Sequence, residues 1–65
     1  MVESNKVKKL REKLGLSQEK LARLADVSTN TIINIESGKQ TNPTISTIKK
    51  IAKALDASVD ELLRK

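Results

Sequence analysis

Residues 17–38 decide the fold, and they read Ser-Gln-Glu-Lys-Leu-Ala-Arg-Leu-Ala-Asp-Val-Ser-Thr-Asn-Thr-Ile-Ile-Asn-Ile-Glu-Ser-Gly. Two short segments of this stretch carry apolar residues at helical spacing. These are Leu21, Leu24 and Ala25 in the first segment and Ile32 and Ile35 in the second. The pattern predicts two helices, over 18–25 and 29–37. Helices that follow each other so closely must cross at a steep angle. One of them then packs against the rest of the fold, and the other, called the displayed helix below, exposes one side to solvent.

The residues that flank the two segments favour the same boundaries. Ser17 and Ser28 stand just ahead of them, where a serine oxygen caps the free amides of a helix start. Gly38 follows the second segment and suits the left-handed conformation that ends many helices. Only Asp26 and Val27 lie between the first segment and Ser28. We therefore predict a helix-turn-helix unit over about 17–38.

The displayed helix carries short polar side chains on its outward side. They are Thr29, Asn30, Asn34 and Ser37. Such amides and hydroxyls suit the base edges of a DNA groove. Ile33 also points outward, because its neighbour Ile32 takes the inward position. It is either a contact for a thymine methyl group or an incidental apolar residue of the surface.

Three further helices are predicted around this unit. Helix 1 spans about 5–14, with Val7, Leu10 and Leu14 inward, Ser4 or Asn5 as its cap and Gly15 at its end. Helix 4 begins behind Thr44 and places Ile45, Ile48, Ala52 and Leu55 on one face, with Ile51 beside them. Helix 5 is short, with Val59, Leu62 and Leu63 inward, and Ser58 and Glu61 form its capping box. No segment shows the alternation of a strand.

Length and composition limit the function classes. The 65 residues make at most one domain, 1–65, with a core of aliphatic residues, since no aromatic is present. The lack of histidine and cysteine removes the commonest general base, disulfides and thiolate metal sites. We predict no enzymatic activity, no metal and no cofactor. No apolar run could span a membrane, and the first residues do not resemble a signal peptide, so a cytoplasmic protein is expected.

The charge favours a polyanionic partner. Thirteen basic and eight acidic residues give a net charge of +5. Residues 39–53 carry four lysines and no acid, and residues 1–13 carry five basic and two acidic groups. The positive charge therefore flanks the displayed helix and does not lie on it. The alternative is that most of these lysines are simply solvated.

The chain resembles the phage-repressor, or Cro and xenobiotic-response-element (XRE), family of helix-turn-helix domains. The resemblance rests on Leu14-Gly-Leu-Ser-Gln-Glu-Lys-Leu-Ala22, Val27-Ser28, Ile32, Ile35-Glu36-Ser-Gly-Lys39, Asn42-Pro43 and Leu55-Asp-Ala-Ser-Val-Asp-Glu-Leu-Leu63. It covers essentially the whole chain and implies an all-α, five-helix, lambda-repressor-like domain. The third helix would then lie in the major groove of duplex DNA.

The resemblance also implies individual roles. Base contacts would come from Thr29, Asn30, Ile33 and Asn34. Phosphate contacts would come from Gln18, Ser28, Ser37, Lys39, Gln40, Thr41 and Asn42. Arg11 and Glu36 would form a structural ion pair, and Ala22 would be the small residue where two helices touch. Asp26 replaces the glycine common in the turn, at a position that needs a positive φ, which aspartate tolerates.

The predicted function is that of a small transcriptional regulator that binds duplex DNA in a sequence-specific manner. A weak homodimer on a two-fold operator is plausible, and no small-molecule ligand is implied. An alternative is a protein-interaction module, such as an antitoxin or adaptor with the same fold. The acidic stretch from Asp56 to Glu61 and the exposed Ile33 would suit that alternative.

Overall fold

Five helices follow one another in the computed structural model, which describes residues 2–40 and 42–63. They are α1 (Ser4–Lys13), α2 (Gln18–Ala25), α3 (Thr29–Ser37), α4 (Ile45–Ala54) and α5 (Val59–Leu62). The predicted all-α, five-helix fold is confirmed, and α2 and α3 have the predicted bounds. None of the described helices has the length and hydrophobicity needed to cross a bilayer.

Side-chain caps start four of the five helices. Ser17, Ser28, Thr44 and Ser58 each accept a hydrogen bond from the backbone N–H three residues further on. Helix α1 differs, because its N-cap is Glu3 and not Ser4 or Asn5 as predicted. The Glu3 N–H donates to the carbonyl oxygen of Leu62 at 2.8 Å. This bond to a residue distant in sequence holds Glu3 in an extended conformation, so the helix begins directly after it.

The core lies where α2 packs against α3 and α4, and where α1 packs against α3 and α5. Every helix contributes at least one buried aliphatic side chain to it. These residues are Val7, Leu21, Ala22, Ala25, Ile32, Ile35, Ile48, Ile51, Ala52 and Leu62, joined by Val2 and Leu55. Ile32 and Ile35 are at most 1% exposed, which confirms the predicted inward face of α3. Since α3 is anchored along this face, its opposite face is left to solvent.

Two residues predicted to be inward are exposed. Leu14 is 49% exposed, because α1 ends at Lys13 and the chain reverses at Gly15, so that Leu16 packs against the core instead. Ile45 is 65% exposed at the first position of α4, one turn ahead of the part that packs on α2. Both side chains have the correct helical phase, but each lies at a helix end that no neighbouring element covers.

Leu24 belongs to the apolar pattern of α2, yet it is 53% exposed. It lies at the rim of an open cavity between α2 and α4, where the small side chains of Ala25 and Ala54 leave space. Leu63 follows α5 and pairs with Val2 in an isolated antiparallel bridge. Leu63 is half-buried, as its predicted inward position requires, but it lies outside the helix.

Candidate nucleic-acid interface

The turn between α2 and α3 is built on one left-handed residue. Asp26 has φ 56° and ψ 45°, which is the positive φ expected of this position. The Val27 N–H then donates to the Ala22 carbonyl at 2.9 Å, and the Asp26 N–H donates to the Arg23 carbonyl at 3.2 Å. Ala22 itself is 2% exposed. These bonds use the free carbonyls at the end of α2 and redirect the chain within two residues, so α3 leaves the turn as a separate, displayed helix.

A bidentate ion pair joins the C-terminal half of α3 to α1. Arg11 Nε donates to Glu36 Oε2 at 2.6 Å, and Arg11 Nη2 donates to Glu36 Oε1 at 3.0 Å. The two side chains are only 11% and 4% exposed, respectively. The third arm of the guanidinium, Nη1, donates to the Leu16 carbonyl at 2.7 Å. Its charge is matched, and no buried side-chain nitrogen or oxygen of the described residues lacks a hydrogen bond, so this pair can lie at the edge of the core.

The hydrogen bond from Arg11 to Glu36 raises the pKa of Arg11 and outweighs the opposing effect of burial, while the charges of Glu36 and Glu12 add smaller increases. Arg11 therefore remains charged at any working pH. Gln18 adds a third partner, because its Nε2 donates to Glu36 Oε1 at 3.1 Å. One carboxylate thus connects α1, α2 and α3 and fixes the orientation of α3.

The outward face of α3 carries the four residues predicted to contact bases. Their positions lie on one side of the helix, and none of them is charged. They are Thr29, Asn30, Ile33 and Asn34. Asn30 and Ile33 are exposed, the latter by 39%, whereas Thr29 and Asn34 are half-buried. This face can offer amide and hydroxyl hydrogen bonds and one aliphatic contact to a surface placed against it.

The residues predicted to contact phosphates fall into two groups around α3. Ser28 lies at its start, where the hydroxyl caps the helix and bonds to the Thr31 hydroxyl at 2.8 Å. The other described members lie near its end. They are Gln18, Ser37, Lys39, Gln40 and Asn42. Thr41 lies outside the described residues. All but Gln18 are exposed, so the structure leaves both ends of the helix accessible.

The loop after α3 is held by its own bonds. The Asn34 carbonyl accepts from the Ser37 hydroxyl at 3.2 Å and from the Gln40 N–H at 3.0 Å. The Gln40 side-chain oxygen accepts from the Asn42 N–H at 3.2 Å. The sequence did not predict these loop bonds of Ser37 and Gln40. Only the capping preference of Ser28 was visible in the sequence.

The family model for helix-turn-helix proteins of the HTH_3 type matches residues 7–62. The chain belongs to this helix-turn-helix family. Among the relatives of this helix-turn-helix protein is the HTH-type transcriptional regulator SinR of Bacillus subtilis, which is 38% identical over 58 residues. That alignment covers 89% of the present chain and 52% of SinR, so the chain spans about half the length of this relative.

Solved structures that share the fold of this helix-turn-helix protein include the following two. A crystal structure of SinR in complex with DNA superposes with a TM-score of 0.89 at 36% identity, covering 94% of the present chain and all of that chain (100%). The restriction-modification controller protein C.AhdI of Aeromonas hydrophila gives a TM-score of 0.86 at 35% identity, covering 92% and 89% of the two chains. Both matches thus extend over more than nine tenths of the present chain.

Proposed function

We propose that this helix-turn-helix protein is a transcriptional regulator that binds duplex DNA with α3 in the major groove. The observation that carries the proposal is the contrast between the two sides of α3. Its inner side is fixed by Ile32, Ile35 and the Arg11–Glu36 pair, whereas its outer side presents uncharged polar groups. A rigidly held helix with free amides and hydroxyls is suited to reading base edges. SinR, a relative, has been crystallised with DNA.

The base contacts in this proposal come from Thr29, Asn30, Ile33 and Asn34. An asparagine amide can pair with N6 and N7 of adenine, and an isoleucine can contact the methyl group of thymine. Sequence preference would therefore be strongest for A·T pairs in the centre of the contacted site. Protein bound at such a site would regulate transcription by blocking or by recruiting other proteins.

The backbone contacts come from residues at the two ends of α3. Ser28 is available at the start of the helix, and the loop side chains Lys39, Gln40 and Asn42 are exposed at its end. Gln18 uses one amide hydrogen for Glu36, but a primary amide has a second hydrogen that can reach a phosphate. We further propose that two copies bind a two-fold operator, with half-sites about one helical turn, roughly 34 Å, apart.

Selection of bound sequences from a random duplex pool tests the proposal directly. We expect enrichment of a short motif containing adenine and thymine, repeated in two-fold symmetry if two copies bind. Binding of the selected duplex and of a random duplex should then be measured at salt concentrations between about 50 and 200 mM. A DNA-binding protein should lose affinity linearly on logarithmic axes for both duplexes. An unenriched pool together with flat salt dependence would exclude the proposal and favour a protein partner.

A further inference from the structure

An open cavity of about 390 Å³ lies between α1, α2 and α3, at the edge of the candidate interface. Its lining includes Gln18 and Ile33, which the proposed function already assigns to DNA contacts, and Ser37, for which the family resemblance implies a phosphate contact. It also includes Lys8 of α1, to which no role has been given. The cavity therefore brings a lysine of the first helix to the same surface as the outward residues of α3.

The charge around this cavity is not balanced. Arg11 and Glu36 both line it, but they neutralise each other through two hydrogen bonds, and Arg11 uses its remaining arm for Leu16. Lys8 is exposed and forms no ion pair with any residue in the described part of the chain. Lys8 therefore gives the cavity its net positive charge. Gln18, which also lines the cavity, adds an uncharged N–H donor.

A surface lysine is usually only solvated, so a ligand-binding role for Lys8 must be supported by its position. The outward face of α3 carries no charge, and the described loop after it has a single cation, Lys39. A duplex that lies along α3 must bring its phosphates past the margins of that helix, because the backbone borders the major groove. Lys8 lies at one such margin, beside the C-terminal half of α3.

We infer that the cavity is a further DNA-backbone site, in which the Lys8 ammonium group, assisted by the Gln18 amide, binds a phosphate of the duplex. This inference rests on the proposed function. The site differs from the loop contacts because its cation comes from α1, so it ties the duplex to the helix that also holds Glu36. The sequence alone did not reveal it, since five basic residues crowd positions 1–13 and nothing in their spacing distinguishes Lys8.

Lys9 provides a matched control for the test. It is adjacent to Lys8, has the same charge, is also exposed and does not line the cavity. Lys8→Ala, Lys9→Ala and Lys8→Arg would be compared with the natural chain on a selected duplex and on a random duplex. Binding would be measured across a range of salt concentrations, and thermal melts would establish that all variants fold.

We expect Lys8→Ala to lower the slope of log affinity against log salt by about 0.9, the contribution of one phosphate contact. This corresponds to about an eightfold loss at roughly 0.1 M salt, equal for both duplexes. Lys9→Ala should leave the slope unchanged, and Lys8→Arg should retain it. Equal slopes for Lys8→Ala and Lys9→Ala would overturn the inference while leaving DNA binding intact. A flat slope for the natural chain would instead refute the proposed function itself.

Discussion

Two corners of the chain are built on a left-handed aspartate, one between α2 and α3 and one between α4 and α5. Asp26 and Asp56 are the left-handed residues of the two corners, with φ of 56° and 54°. The residue after each aspartate donates to a carbonyl five positions earlier, at 2.9 Å in both corners. Ser28 and Ser58 then cap the next helices. Two stretches with the same order of aspartate, small apolar residue and serine therefore form the same local structure.

The helices that begin after the two corners differ in length and charge. The first corner leads into α3, which has nine residues and extends over about 13 Å. The second leads into α5, which has four residues, with Asp60 and Glu61 in its first turn. A single acidic turn is too short to lie along a groove, and its charge would repel phosphates. The corner alone therefore does not make a helix suitable for DNA recognition. The helix that follows it must also be long enough, carry no repelling charge and be held in place by the rest of the fold.

A cation of α1 contacts α3, and another contacts the residue after α5. Removal of the first should lower the free energy of unfolding much more than removal of the second. Arg11→Met would leave the buried Glu36 carboxylate without its cation, and breaking such a pair costs about 3–5 kcal/mol. Lys6→Met would remove one hydrogen bond, from Lys6 Nζ to the Leu63 carbonyl, and should cost about 1–2 kcal/mol. Thermal or urea unfolding of the two variants measures this difference.

Lys9→Met serves as the control for the helix itself and should change stability by less than about 0.5 kcal/mol. Changing Arg11 to Met and Glu36 to Leu together should recover much of the loss, because no charge is then left unpaired. Arg11→Met melting like Lys9→Met would mean that the ion pair does not hold α3 in place.

The outward face of α3 should affect DNA binding, whereas that of α5 should not. Asn34→Ala removes an amide from the proposed base contacts and should weaken binding to a selected duplex by about 1–3 kcal/mol. Asp60→Asn, on the exposed side of α5, should not weaken binding to either duplex. Binding isotherms on selected and random duplexes check both. If Asn34→Ala lost affinity equally on both duplexes, Asn34 would not read sequence.

The capping serines of α3 and α5 allow an effect on folding stability to be separated from an effect on DNA binding. Ser28→Ala and Ser58→Ala should each lower stability by about 1 kcal/mol, because each leaves a helix start without its side-chain acceptor. Only Ser28→Ala should also weaken DNA binding at a temperature where both variants are fully folded. Equal binding by the two variants would remove Ser28 from the interface.

The smallest effect is expected at the left-handed residues. Asp26→Gly and Asp56→Gly replace a tolerated residue by one that adopts a positive φ freely, against a larger loss of entropy on folding. The two effects oppose each other, so each variant should stay within about 0.5 kcal/mol of the natural chain. Urea melts in which one variant shifted by more than about 1 kcal/mol would show that the corners are energetically unlike.

Most of the fold was predictable because its signals are local. A cap, a left-handed residue and an apolar period each act within a few positions, which is why the bounds of α2 and α3 agree with prediction. Leu14 and Ile45 were assigned wrongly because a period gives the phase of a helix and not the extent to which neighbours cover its ends. The start of α1 was missed for a related reason, since Glu3 is held by Leu62 from the other end of the chain.

The features of the candidate site likewise fall into those that local sequence signals predict and those that depend on helix packing. Local sequence signals are sufficient for the corner at Asp26, for the inward Ile32 and Ile35, and hence for the identity of the outward residues of α3. The packing of the helices was needed to show that Arg11 donates to Leu16 as well as to Glu36, that Gln18 also binds this carboxylate, and that Lys8 lies beside α3. These contacts join a helix to another helix or to the turn between two helices, and their geometry depends on how α1, α2 and α3 pack together, which no local sequence pattern encodes.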